Sequence, residues 1–127
     1  MPGFFTDIQK ETLENNNFRK VLYTAANCQL VVMSLKPGEE IGEEVHEHVD
    51  QFFRIEKGKA KFILNGQETE AGEEWVGIVP QGTTHNVINI SDGDLKLYTI
   101  YSPPNHPDGT IHATKAEATA AEEEEHM

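Results

Sequence analysis

The stretch KAKFILNGQETE, residues 59–70, alternates polar and apolar side chains up to Leu64 and then meets Asn65-Gly66. Alternation with a period of two marks a half-buried strand. Asn-Gly between two such runs marks a two-residue hairpin in a type I′ turn. Similar runs recur on both sides. Residues 19–24, 28–35, 41–48 and 51–56 precede the hairpin, and 74–79, 85–90 and 95–101 follow it. Turn residues separate them, among them Pro37-Gly38, Lys57-Gly58, Ala71-Gly72, Gly82, Ser91-Asp92-Gly93-Asp94 and Pro103-Pro104. Eight or nine short strands at regular spacing predict an antiparallel sandwich or barrel. No segment of helical period stands out between Arg19 and Tyr101.

The chain has 127 residues, enough for one domain that buries roughly two-thirds of its unfolded surface without help from a metal or disulfide. Ten Lys and Arg face 22 Asp and Glu, a formal charge of −12. Such a chain is repelled by phosphate backbones and anionic lipid, so neither nucleic acid nor a membrane is an expected partner. Cys28 stands alone, which rules out an intramolecular disulfide and fits a reducing compartment. The opening MPGFFTDIQK lacks a basic then apolar signal pattern, and no run approaches a ~20-residue membrane span. The expected location is cytoplasmic. Residues 1–18 read as an N-terminal extension, 19–102 as the barrel, and 103–127 as a Pro/Gly-rich extension with an acidic tail. The tail, 113–127, has helical propensity but no apolar stripe, and is expected to fray.

Three histidines fall inside strand-like runs. His46 and His48 are two apart, so on a strand they share a face, and Glu44 shares their parity. Two neighbouring imidazoles start a binding site for a divalent metal, whose third ligand comes from elsewhere. His85, just after the turn 80–84, can supply it. Gln51 lies beyond a turn at Val49-Asp50 and can face the same interior with Phe53 and Ile55.

These residues resemble the cupin superfamily. Its first motif has the form G-x5-HxH-x3,4-E-x6-G. In PGEEIGEEVHEHVDQFFRIEKG, residues 37–58, His46 and His48 match the HxH pair, Gly58 the closing glycine, and Gln51 falls at or next to the Glu. The second motif, G-x5-PxG-x2-H-x3-N, finds Pro80, Gly82, His85 and Asn89 at matching spacing. The likeness spans about residues 20–102 and is nearest to the small single-domain cupins labelled mannose-6-phosphate isomerase-like. It implies an all-β double-stranded β-helix, the jelly-roll barrel, with a flexible acidic C-terminal tail. It also implies one divalent transition metal (Fe, Mn, Ni, Zn or Cu) on His46, His48, Gln51 and His85, a small-molecule ligand or substrate, and a homodimer. Two departures stand out. Gly38 and Gly42 bracket the first glycine position, and Gln51 replaces an acid. With Gln as ligand the ion keeps its full charge, binds less tightly and makes bound water more acidic. Glu44 then becomes the expected catalytic base or supporting carboxylate.

Other residues carry blander expectations. His106 and His112 read as a surface extension, against the alternative of a flap over the barrel mouth. Trp75 and Phe62 are assigned to the core, and Cys28 to a buried strand position. Arg54, Phe52, Ile88 and Ile90 should face outward. The functional expectation is a metal-dependent enzyme on a small organic molecule, of oxygenase, isomerase or decarboxylase type. The alternative is a non-catalytic barrel that binds a small ligand or metal.

Overall fold

A computed structural model describes residues 2–125. Its elements are α1 (Ile8–Glu14), β1 (Arg19–Thr24), β2 (Gln29–Leu35), β3 (Asp50–Lys57), β4 (Ala60–Leu64), β5 (Gln67–Ala71), β6 (Val76–Val79), β7 (His85–Asn89), β8 (Leu95–Ser102), β9 (Ile111–His112) and α2 (Lys115–Glu125). The strands form a six-stranded sheet, β6-β3-β8-β2-β1-β9, and a three-stranded sheet, β5-β4-β7. Every named pairing is antiparallel. The β4–β5 hairpin turns through Asn65 and Gly66, both at positive φ (48° and 84°), as a type I′ turn requires.

Alternation places the core. Gln51, Phe53 and Ile55 of β3 are buried while Phe52 and Arg54 are half-exposed, and β7 buries His85, Val87 and Asn89. Phe53 and Phe62 meet edge-to-face with ring centres 5.4 Å apart, joining the two sheets. Val31, Met33, Leu35, Val87 and Leu97 fill the space around them. Arg54 faces away from the interior and pairs with Glu56 at 3.1 Å. Asn89 locks the end of β7. Its Nδ2 donates to the Leu35 and Gly93 carbonyls, each at 2.9 Å, and its Oδ1 accepts from Ser91.

The strand expected over 41–48 does not form. Residues 38–46 instead run beside β7, joined by Gly38 N–H to Asn89 O, Ile41 N–H to Val87 O, and two isolated bridges, Glu40↔Ile88 and Glu44↔His85. One extra residue lies between the bridges on the 40–44 side, at Gly42 (φ 106°), and the Gly42 N–H goes to the Asn86 side chain. This is a bulge, and it lets Ile41 and Glu44 both turn inward although they are three apart. Trp75 is 53% exposed, not core, because β6 is an edge strand paired only with β3. Cys28 is exposed, just before β2 begins.

The ends are more ordered than composition suggests. Asp7 caps α1, its carboxylate accepting from Lys10 N–H at 3.2 Å. The buried Lys96 ammonium donates to the Asn15 carbonyl and to Asn16 Oδ1. The acidic tail carries α2, whose Ala118 is buried, while the Lys115 ammonium donates to the Ile41 carbonyl. His126 and Met127 lie outside the described residues. Among the described residues no helix is long and apolar enough to cross a membrane.

Candidate metal centre

The bulged segment and β7 bring Glu44, His46 and His85 together, with one donor atom of each within 4.8 Å of the others. Main chain sets the arrangement. Glu44 and His85 exchange two backbone hydrogen bonds of 2.8 Å, and Gly82 N–H donates to the His46 carbonyl at 2.8 Å. His85 Nδ1 lies 2.9 Å from the Thr83 carbonyl. A carbonyl only accepts, so Nδ1 carries the proton and Nε2 keeps its lone pair for a ligand. Glu44 Oε2 sits 2.9 Å from His46 Nε2. The contact is short but out of line for a hydrogen bond, and Glu44 Oε1 is buried without a hydrogen-bond partner. Burial alone would raise the Glu44 pKa. The contact with His46 and the charges of His46, Arg19 and His85 outweigh it and hold the carboxyl below its ordinary value.

Gln51 is buried at the start of β3, opposite Tyr101 of β8. Its Nε2 donates to Thr99 Oγ1 at 3.0 Å, and that hydroxyl spends its own proton on the Phe52 carbonyl at 2.7 Å. Thr99 therefore dictates which way the amide points, and Gln51 Oε1 is left buried without a partner. His48 is elsewhere: it is exposed in the turn at 47–48 and does not join the group. The shared-face argument for His46 and His48 needed a strand that is absent.

This placement explains both departures from the first motif. With Glu44 and His46 on its two His positions, five residues separate Gly38 from Glu44, four separate His46 from Gln51 and six separate Gln51 from Gly58. In this register a carboxylate, Glu44, stands at a His position and an amide, Gln51, at the Glu position. Gly58 has φ 94°, and a Cβ there would lie 2.9 Å from Ser91 Oγ. In the second motif the leading glycine position holds Glu74, in the left-handed region at φ 71°.

A cleft of about 340 Å³ opens beside Glu44 and His46, lined by these two with Glu43, Val45, Asn105, His106 and Glu122. The expectation of a plain surface extension fails for Asn105 and His106, which form part of the cleft wall. The fully buried Gln29 anchors it, accepting from Asn105 N–H (3.1 Å) and His106 N–H (2.9 Å) and donating to His106 O (2.7 Å). His106 packs edge-on against Tyr101, with Nε2 3.2 Å from the phenol oxygen. Tyr101 in turn lies edge-on to His46, ring centres 6.0 Å apart. Burial pushes the Tyr101 pKa up to about 12. Burial, then the nearby Arg19 charge, push His106 down to about 3. The phenol thus keeps its proton beside a neutral imidazole.

Two antiparallel sheets closed around one core, with a carboxylate and two imidazoles at the mouth, define a small jelly-roll barrel of the double-stranded β-helix class. The model of the cupin domain matches residues 31–101, and the chain belongs to the cupin superfamily. It is 49% identical over 127 residues to the uncharacterized protein YrkC of Bacillus subtilis, covering 94% of this chain and 68% of that one. It is 42% identical over 120 residues to the uncharacterized protein L612 of Acanthamoeba polyphaga mimivirus, covering 91% and 74%. Among solved structures, BH2720 from Bacillus halodurans superposes with a TM-score of 0.92 at 41% identity, over 94% of this chain and 95% of that one.

Proposed function

We propose that this cupin binds a divalent transition metal on Glu44, His46 and His85, with the Gln51 carbonyl oxygen as fourth donor, and acts on a small organic molecule in the adjoining cleft. The observation that carries this reading is the donor group itself: three ligand atoms within 4.8 Å, one of them a buried His85 nitrogen with its tautomer already set. The residues fit an ion. Glu44 Oε1 and Gln51 Oε1 are buried acceptors with nothing to accept from, a costly state that a cation relieves. Two imidazoles, a carboxylate and an amide oxygen suit several first-row ions. A bound ion would polarise an oxygen of the ligand.

The chain's own residues do the rest. Thr99 orients Gln51, Thr83 orients His85, and Gln29 holds Asn105 and His106 in the cleft wall. Glu44, held deprotonated, is the anionic donor of the set. The test is metal content by plasma mass spectrometry on untagged, reconstituted protein. About one equivalent is expected in the parent and in His48→Ala, with loss in Glu44→Ala and His85→Ala. No metal in the parent, or loss in His48→Ala equal to that in His85→Ala, overturns the assignment. Turnover lost in Glu44→Gln while ion and ligand still bind marks an enzyme; with no turnover in the parent, the barrel is a binding module.

A further inference from the structure

Arg19, at the start of β1, is a buried cation that the metal centre does not use. It is 1% exposed, and its Nε has no hydrogen-bond partner. Its Nη1 lies 3.4 Å from His112 Nδ1 and 3.6 Å from Glu122 Oε1, both longer than a charge-assisted hydrogen bond. Phe18 covers the guanidinium at 5.4 Å and offers no acceptor beyond its π face. A guanidinium this deep is costly unless an oxyanion meets its planar edge.

Glu122 holds the place of that oxyanion loosely. Its side chain is 40% exposed, it rides on the terminal helix α2, and it lines the same cleft as Glu44 and His46. Arg19 is also close enough for its charge to act on Glu44, Tyr101 and His106, so its field falls on the cleft. We propose that the cleft's ligand is a small carboxylate, whose oxygens displace Glu122 from Arg19 while its far end faces Glu44, His46 and His85. A planar carboxylate matches the guanidinium fork. A phosphate dianion would bring twice the charge against Glu43 and Glu44. The far-end contact rests on the metal reading above; the Arg19 contact does not.

The test follows the Arg19 Nε–H resonance in the ¹⁵N-labelled, zinc-loaded full chain during titration with glycolate, and with glycolamide as neutral control. Glycolate should shift the resonance and glycolamide should not. Glu122→Gln should tighten glycolate about two- to fivefold by removing the competing anion. An Arg19 variant risks unfolding at so buried a site, so the Glu122 variant carries the comparison. Equal shifts from both probes, no shift from either, or unchanged affinity in Glu122→Gln overturns the proposal. The titration is repeated without metal. Loss of the Arg19 response in protein that still binds zinc overturns the carboxylate anchor. Failure to bind zinc with the response intact overturns the metal reading alone.

Discussion

Lowering the pH from 7.5 to 5 should destabilise this protein through His106. The imidazole is neutral in the fold down to about pH 3, whereas in the unfolded chain it protonates near its ordinary 6.5. The unfolded state then binds more protons, so stability is fully present above 6.5 and drains away as pH falls from there toward 3. Integrating from 7.5 to 5 gives about 2 kcal/mol for a fully buried group; partial exposure of the ring reduces this to about 1–2 kcal/mol. His106→Gln keeps a polar partner for the Tyr101 phenol but cannot titrate. Urea unfolding of parent and variant at both pH values isolates the term, since the other histidines are common to both. The parent should lose about 1–2 kcal/mol more than the variant. Equal losses would refute the reasoning and show that the ring reaches water before the barrel unfolds.

Gln29→Leu removes three hydrogen bonds to the backbone of 105–106 and should cost about 2–3 kcal/mol, with faster hydrogen exchange at Asn105 and His106 while central β2 amides stay protected. Gly58→Ala forces a Cβ to 2.9 Å from Ser91 Oγ and 3.1 Å from the Asp94 carbonyl at φ 94°, and should lower the free energy of urea unfolding by about 2–4 kcal/mol. Glu74→Gly relieves a left-handed residue, offset by greater freedom in the unfolded chain, and should raise stability by about 0.5 kcal/mol in thermal melts. Thr99→Val frees the Gln51 amide to flip and should weaken zinc binding in calorimetry while leaving the far-UV spectrum unchanged.

The barrel is legible in the sequence because its strands alternate and its turns use Gly, Pro and Asn-Gly. Residues 19–24 match β1 at both ends, and 51–56 fall within β3. The misses have local causes. Helix α1 has seven residues and buries only Thr12, too little for a periodic signal. Gly42 inserts a bulge, so Ile41 turns inward against the parity of Glu44 and His46, and the turn at 47–48 takes His48 off their face. Trp75 is hydrophobic by type but lies just before the edge strand β6, which composition cannot reveal. At the site, His46 and His85 could be singled out from spacing, and Glu44 from its parity with His46. The HxH pattern also points to His48, although moving the first motif by two residues repairs every spacing. The parts of the cleft that come from 105–106 were illegible, because Gln29 reaches them across 77 positions of chain.

The paired backbone bonds between Glu44 and His85 have a consequence for how any ion is captured. The two donors belong to one narrow ring of main chain, so their separation is set before an ion arrives, as in a preformed macrocycle rather than an open-chain chelator. The entropy of gathering them is met when the barrel folds and not at the moment of capture. Zinc fingers work the other way round, folding only as the ion collects its ligands. In this barrel the empty and loaded forms should share one fold, and selectivity falls to ions whose size suits a fixed gap.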